Sequence, residues 1–401
     1  MHPFLLIALM WVAYFLNYCD RQVVFSLFPV LQSDLGFSDT QLGLTGSIFL
    51  WVYAFACPVA GQMGDRFSKR ILVVLSLAIW SVVTIATGFS TSALMLLFLR
   101  ALMGVSESLY MPNAISLTAN AYPPALRSRA IATLSTAQVA GTVGGGWFGG
   151  WMAEQGRWRE AFFCLGVIGV LYAGPYWLLL RRVGKETHVE TKAAGKMLAA
   201  AALGKIATYR VLCVAFTMFV FGLWLLYGWL PNFLREKFTL GLGDAAFNAT
   251  FFLQSASLAG LLAGGIIADW LARRTSGARV WILAASLLLC APCLYGLGHS
   301  GLAMTRVAGI AFGFFAGFFM GNIFPAAFEV VPGDTRASAV GVLNFFGSLI
   351  SGFATLCGGV WKKTLGFEGL TAWTALGYLL AGLLLIAVAR RSFQHDYKQV
   401  R

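Results

Sequence analysis

The sequence predicts an all-α, polytopic membrane protein with twelve transmembrane helices in two six-helix, pseudo-symmetric bundles. Of its 401 residues, 59% are hydrophobic and only 11% are charged, whereas soluble domains are about 25% charged. Twelve apolar stretches come close to or exceed the roughly 20 residues that a transmembrane helix needs. A Gly-x-x-x-Asp pattern at the end of the second stretch, Gly61 to Asp65, recurs at the end of the eighth, Gly265 to Asp269. This repeat indicates two related halves, as in a large class of secondary transporters.

The predicted spans follow one another along nearly the whole chain. They are placed at 3–31, 41–63, 71–89, 93–119, 127–153, 159–181, 207–232, 246–270, 279–298, 302–331, 336–361 and 367–390. The first stretch is too long for the core of a signal peptide and lacks a small-residue cleavage site, so we expect it to be a span. The longest hydrophilic connection, 183–206, is basic and rich in alanine, as in a helix on the cytoplasmic membrane surface. It separates an N-terminal bundle, 1–182, from a C-terminal bundle, 207–401.

The basic residues predict the orientation of the chain. Of the 29 Lys and Arg residues, twenty fall in the termini and in the loops on the same side, six fall on the other side, and three lie within spans. Because Lys and Arg accumulate in cytoplasmic loops, both termini are expected in the cytoplasm. We expect a monomer in a bacterial inner (plasma) membrane. The net charge of +13 follows from the same bias and requires no nucleic-acid partner.

The cysteines and histidines argue against an enzyme. All seven cysteines fall in apolar stretches, where they are interpreted as small core residues and not as a disulfide framework. The four histidines fall outside the spans, so they supply neither an intramembrane metal site nor a proton relay. We therefore expect no metal, no cofactor and no enzymatic activity. Any proton chemistry within the membrane must use carboxylates.

Two charged residues, Asp20 and Arg21, stand inside the first span. A charge at that depth costs about 2.5–3.5 kcal/mol on insertion scales, and such residues mark substrate or proton paths. Arg21 shares one helical face with Tyr14, Asn17 and Tyr18, so we expect this face to line a wet interior. The alternative is that both charges snorkel to the headgroups from a helix end. The apolar-rich residues that follow Arg21 disfavour it.

A second charged pair, Arg100 and Glu107, lies in the fourth span. Seven residues bring a helix back to the same face, so both side chains must face the interior of the bundle. With Asp20 and Arg21 they make a set of zero formal charge, as a buried site requires. The set would hold an anion, because a guanidinium binds a carboxylate through two parallel hydrogen bonds. The alternative is a purely structural ion-pair cluster.

The segment GQMGDRFSKR, from Gly61 to Arg70, resembles the signature loop between spans two and three of the major facilitator superfamily. It departs mildly from the usual pattern, with a serine in place of the second glycine. The resemblance implies a cytoplasmic gate formed by Gly61, Asp65, Arg66 and Arg70, with Asp269 at the matching place in the second half. In such a gate Asp65 would face a helix end while the two arginines pair across the cytoplasmic gap.

Four further motifs resemble the anion:cation symporter family of that superfamily, which includes sugar-acid, sialic acid and vesicular glutamate carriers. They lie at 17–21 (NYCDR), 100–107 (RALMGVSE), 122–130 (YPPALRSRA) and 229–234 (WLPNFL). Each is moderately specific alone, and they occur in the family's order. Spinster-type lipid carriers share the Asp-Arg pair and the Arg/Glu spacing, so they remain the nearest alternative.

The resemblance implies roles for the charged residues. Asp20 and Glu107 match the acids that couple transport to protons in similar family members. Arg21 matches the residue that binds the substrate carboxylate, and Arg100 would be the partner that switches between acids. The implied function is proton-coupled symport of a small organic anion by alternating access.

Three polar residues complete the expected substrate site. Tyr53 and Gln138 match family positions that line the cavity, and Asn344 matches one that contacts substrate; each could instead serve as a contact between helices. The segment 321–325 (GNIFP) is poorer in hydroxyls than in the sugar-acid carriers, which leaves room for a more apolar acid. A polytopic membrane enzyme would need a nucleophile or metal constellation, and a receptor or structural role is disfavoured by the paired gate motifs.

Overall fold

The part of the chain described by the structure, a computed structural model, comprises residues 3–122, 124–181 and 203–400, and it is helical almost throughout. The helices are α1 (Pro3–Ser26), α2 (Phe28–Leu35), α3 (Asp39–Arg66), α4 (Lys69–Gly88), α5 (Ala93–Ser108), α6 (Met111–Ala121), α7 (Pro124–Glu154), α8 (Trp158–Leu180), α9 (Ala207–Phe238), α10 (Leu242–Ala272), α11 (Ala278–His299), α12 (Leu302–Phe328), α13 (Arg336–Val360), α14 (Lys362–Arg391) and α15 (Phe393–Val400). The all-α prediction is confirmed, and the described residues contain no strand.

Ten segments of the described residues are long and apolar enough to cross a membrane, and they match the predicted spans two to four and six to twelve. The remaining two predicted spans correspond to α1, of 24 residues, and α7, of 31 residues. The expected surface helix in the connection falls outside the described residues, apart from 203–206. The orientation of the termini stays a prediction.

Prolines divide two of the predicted spans. The first span, 3–31, is broken at Leu27, because Pro29 stands in the first turn of α2, where its missing N–H costs nothing. The fourth span, 93–119, is broken between α5 and α6, with Pro112 in the first turn of α6. From the sequence, both spans were expected to be continuous helices. Each break lies a few residues beyond a buried charge, Arg21 in α1 and Glu107 in α5.

The described residues divide into two compact units. The first comprises 3–181 together with 227–250 and 355–360, and the second comprises 203–226, 251–354 and 361–400. The first unit therefore includes two segments, 227–250 and 355–360, from the predicted C-terminal half. The predicted division into bundles at 182 and 207 stays a prediction.

Within the first unit, α1 packs along α7 over most of its length. A Cβ atom on Gly145 would lie 2.5 Å from Cys19 Cα, and one on Gly141 would lie 2.5 Å from the Phe15 carbonyl oxygen. The two backbones are therefore in direct contact, as small residues allow between membrane helices. On the other side of α1, the buried Tyr110 hydroxyl donates to the Met10 carbonyl oxygen at 3.1 Å. These contacts hold the helix that carries Asp20 and Arg21.

The second unit is built on α11, which packs against α12 and α14. Its centre is aromatic: the rings of Phe219 and Phe319 stack with centroids 4.3 Å apart, and the Tyr378 hydroxyl donates to the Phe219 carbonyl oxygen at 2.5 Å. Gly366 interrupts α14 with φ 65° and ψ 175°, a conformation that glycine adopts without strain. The regular part of α14 therefore begins at Phe367, where the twelfth span was predicted to start.

Candidate anion and proton site

The centre of the site is an ion pair between α1 and α5. Arg21 Nε lies 2.6 Å from Glu107 Oε2, and the two side chains are 9% and 0% exposed. Both residues stand in the last two turns of their helices, just before the breaks at Leu27 and Leu109. A pair this buried loses most of its hydration, so each partner depends on the other for its stability.

Aromatic rings surround the Arg21 guanidinium. Its central carbon lies 5.1 Å from the centroid of the Tyr18 ring, 5.0 Å from that of Phe49 and 4.8 Å from that of Tyr53. Phe49 and Tyr53 are one turn apart on α3 and stack on each other. The rings stabilise the cation through their π faces. Unlike carboxylates, they do not occupy the hydrogen-bonding positions of the guanidinium.

Arg100 is held by backbone oxygens and by the Met103 sulfur rather than by an acid. Its Nε donates to the Thr45 carbonyl oxygen at 3.3 Å and its Nη1 to the Asp20 carbonyl oxygen at 3.5 Å. Its guanidinium also lies over the Phe49 ring, 4.8 Å from the centroid. Among the residues that the structure describes, Arg100 forms no salt bridge with Asp20 or Glu107. The Phe49 ring thus lies against two guanidinium groups.

The buried charges retain unused hydrogen-bonding atoms. Within the described part of the chain, Asp20 Oδ1, Glu107 Oε1, Arg21 Nη2 and Arg100 Nη2 are buried and have no hydrogen-bond partner. Buried polar atoms nearly always have a hydrogen-bond partner. Four unpaired atoms on these side chains therefore indicate that a ligand, a proton or water binds here. The two free Nη2 groups have the chemistry to donate hydrogen bonds to an anion, and the two free carboxylate oxygens have the chemistry to accept protons.

The other predicted substrate residues have different surroundings. Tyr53 belongs to the ring set around Arg21. Gln138, on α7, accepts a hydrogen bond of 3.3 Å from the Tyr14 hydroxyl, which lies 3.5 Å from the Tyr18 hydroxyl. Gln138 is therefore linked to the Arg21 surroundings through tyrosines. Asn344 is exposed on α13, in the second unit.

The predicted gate residues lie at helix ends. Gly61 is in the penultimate turn of α3, Arg66 is its last residue and is exposed, and Arg70 is in the first turn of α4. The side chain of Asp65 falls outside the described residues. In the second unit, Arg279 contacts both Asp269, with Nη2 to Oδ1 at 2.7 Å, and Glu329, with Nη1 to Oε1 at 2.5 Å.

Sequence reasoning missed Phe49. Its position one turn before Tyr53 on the predicted second span was the available signal, because residues i and i+4 share a helix face. Sequence reasoning placed Glu107 on the same helical face as Arg100 but did not identify the ion-pair partner of Glu107, which in the structure is Arg21. Within the described residues, no group of three or more His, Cys, Asp or Glu side chains is close enough to hold a metal ion.

Known proteins resemble this chain in both sequence and structure. The chain is 31% identical over 317 residues to a probable sulfoacetate transporter, SauU, of Cupriavidus necator, covering 73% of this chain and 72% of the relative. It is 25% identical to the hexuronate transporter of Bacillus subtilis, over 95% of this chain and 91% of the relative. A crystal structure of a bacterial homologue of the human lysosomal transporter spinster matches the fold with a TM-score of 0.82. That match covers 97% of both chains at 20% identity.

The family model described as Major Facilitator Superfamily matches residues 10–355. The matched stretch includes the Asp20-Arg21 pair, the Arg100 and Glu107 positions and both gate motifs. The relatives are transporters and not enzymes. The chain belongs to the Major Facilitator Superfamily and is a multi-pass membrane transporter.

Proposed function

We propose that the protein is a secondary active transporter that moves a small organic anion together with protons by alternating access. The observation that carries this proposal is the buried Arg21–Glu107 pair, in which Arg21 Nη2 and Glu107 Oε1 have no hydrogen-bond partner. One side of the pair is ready for an anion and the other for a proton. The names of the relatives, a sulfoacetate and a hexuronate transporter, support an organic acid as the substrate class.

The chemistry of the pair links the two ligands. An incoming carboxylate or sulfonate competes with Glu107 for the Arg21 guanidinium, because both are anions that seek its donors. A Glu107 carboxylate that loses its cation in a dry site is stabilised by taking up a proton. Binding of the anion thereby favours binding of the proton, which is the thermodynamic coupling that symport needs.

Asp20 and Arg100 form the second part of the proposed proton site. Asp20 is 2% exposed and Arg100 is 1% exposed, and the hydrogen bond from Arg100 to Asp20 goes to the backbone oxygen and not to the carboxylate. Rotation of the Arg100 guanidinium toward the Asp20 carboxylate would neutralise it and displace a proton. We propose that Tyr53, Gln138 and Asn344 contact the substrate, Tyr53 as a wall of the Arg21 site.

We also propose a cytoplasmic gate, formed by Gly61, Asp65, Arg66, Arg70 and Asp269. In this gate the ion pair with Arg279 holds Asp269 in place. We further propose a monomer in a bacterial inner membrane, with both termini in the cytoplasm.

The test is transport by purified protein in vesicles. A screen of small carboxylates and sulfonates under an imposed pH gradient should identify a substrate that accumulates uphill. Glu107→Gln should abolish uphill uptake and keep exchange between two filled compartments, because a neutral amide mimics the protonated acid and exchange need not release the proton. Asp20→Asn should impair the same step. Glu160→Gln, an exposed acid paired with Arg157, is the matched control and should transport at the parent rate.

Two results would overturn the proposal. Uphill uptake by Glu107→Gln at the parent rate would remove Glu107 as a proton carrier. Uptake of a lysophospholipid, with no organic acid transported, would favour a spinster-like lipid carrier, in which Arg21 and its rings would bind a lipid headgroup.

A further inference from the structure

The first turn of α10 rests on the end of α7. A Cβ atom on Gly150 would lie 2.5 Å from the Leu242 carbonyl carbon and 2.6 Å from Gly243 N. The backbones of the two helices are therefore in contact, with no side chain between them. All of these residues belong to the first unit, although α7 comes from the predicted N-terminal half and α10 from the C-terminal half.

The N-terminus of α10 lacks a cap of its own. The Gly241 carbonyl oxygen accepts the first hydrogen bond of the helix, from Ala245 N at 2.9 Å, so Gly241 occupies the N-cap position. A capping residue normally supplies a side-chain oxygen to the second or third N–H of the helix. Glycine has no side chain, and this donor must be satisfied from elsewhere.

Glu154, the last residue of α7, supplies the missing oxygen. Its Oε1 accepts a hydrogen bond of 3.1 Å from Gly243 N. A Cβ atom at position 241 would collide with the same oxygen, so the absence of a side chain at Gly241 is what lets the carboxylate reach the helix end. A carboxylate at a helix N-terminus also interacts favourably with the helix dipole. Among the described residues, Glu154 forms no salt bridge.

With both termini in the cytoplasm, as predicted, the end of α7 and the start of α10 lie on the external side. We propose that Glu154 holds the external gate closed: its carboxylate caps α10 from α7 when that side is closed and releases it when that side opens. The inference rests on the alternating-access function proposed above, because only that cycle separates the two halves. A second contact also joins the two predicted halves: the Ser47 hydroxyl, on α3, lies 2.8 Å from the Thr355 hydroxyl, on α13. We call these two contacts, α7 with α10 and α3 with α13, the seam. Opening of the external side must break both of them.

The test is hydrogen–deuterium exchange on the full-length protein in lipid nanodiscs, which needs no substrate. Glu154→Ala should raise exchange in the first turn of α10 and also at the distant seam segments 39–47 and 355–360. The expected increase is about three- to tenfold, the effect of losing one cap. Glu160→Ala removes an acid from the start of α8 that does not contact α10, and it should leave all three segments unchanged.

A cross-link tests the same contact by locking it closed, whereas Glu154→Ala releases it. The double variant Glu154→Cys, Gly241→Cys should form a disulfide under oxidation. This cross-link should lower hydrogen–deuterium exchange at 355–360, and reduction of the disulfide should restore the original exchange. This pair also decides the matter if Glu154→Ala does not fold. Increased exchange confined to the first turn of α10, or unchanged exchange at 355–360 in the cross-linked protein, would show that Glu154 is a local cap and does not hold the external gate closed. Absence of organic-acid transport with the expected exchange pattern would instead overturn the substrate proposal alone.

Discussion

The two units treat their charges in opposite ways. In the first unit, Arg21 and Glu107 form a buried pair in the last turns of α1 and α5. In the second unit, the Arg279 pairs lie at helix ends, and the Asp269 side chain is 68% exposed. The centre of the second unit is filled by aromatic rings around Phe219.

This contrast separates two uses of an ion pair. A buried pair is costly to build and costly to break, so it is suited to a site where a ligand replaces one partner. An exposed pair gains little energy and can form and break within each cycle, which suits a gate. In the function proposed above, the chemistry of coupling belongs to the first unit, and the second unit supplies Asn344 and the Asp269 end of the gate.

The largest expected effect concerns the stability of the buried pair. Arg21→Met alone should lower the free energy of unfolding by about 3–5 kcal/mol, because Glu107 is left as a buried charge without a partner. The double variant with Glu107→Leu should recover most of that loss. Unfolding of both proteins in mixed micelles measures the difference. Equal destabilisation of the single and double variants would show that the two side chains do not depend on each other.

The next effect concerns anion affinity. Arg21→Lys keeps the charge but loses the planar fork, so the dissociation constant for the transported anion should rise about tenfold or more, equivalent to about 1.4 kcal/mol. Arg279→Lys makes the same change in the second unit and should leave affinity unchanged. Binding titrations on both variants make the comparison. If affinity fell equally in both, Arg21 would have no special role in binding.

A smaller effect is expected at the buried acid of the second unit. Asp396, on α15, is 6% exposed and its Oδ2 accepts a hydrogen bond of 2.8 Å from Thr208 N, in the first turn of α9. Asp396→Ala should cost about 0.5–2 kcal/mol, the range for loss of a helix cap, while Asp396→Asn should cost much less. Thermal unfolding separates the two. A larger loss from the asparagine variant would mean that the charge, and not the acceptor oxygen, holds α9.

The smallest effect is expected for the more exposed of the two Arg279 pairs, the one with Asp269. Asp269→Asn should lower the free energy of unfolding by at most about 1 kcal/mol, and 1 M salt should remove most of the difference from the parent by screening. The destabilisation by Arg21→Met should persist in the same salt. Unfolding measured at low and high salt tests both statements, and a salt-independent loss for Asp269→Asn would place that pair in the same class as the buried one.

The sequence was sufficient for the elements of the fold and for the members of the charged set. Length and hydropathy are local properties, so most predicted spans agree with helices to within a few residues, and the cost of burying charge pointed to Asp20, Arg21, Arg100 and Glu107. The partners within the set depend on how helices pack. Helical spacing placed Arg100 and Glu107 on one face of a helix, but it could not show that α1 brings Arg21 to within 2.6 Å of that acid.

The breaks in α1 and between α5 and α6 lay within reach of the sequence, since Pro29 and Pro112 were visible. Membrane helices often tolerate proline, because neighbouring helices satisfy the freed backbone groups, so hydropathy alone favoured continuous spans. The role of Glu154 was beyond sequence reasoning. It depends on a glycine in another helix and on a contact between distant parts of the chain.

The direct contact between the backbones of α1 and α7 has a consequence for how this transporter could acquire a new substrate. Gly145 lies against the backbone of Cys19, immediately before Asp20 and Arg21. A single methyl group added at Gly145 would displace the charged pair without altering any residue that bears it. Selection for altered specificity should therefore recover substitutions on the glycine face of α7, and an engineer could retune the site from that helix while leaving its chemical groups intact.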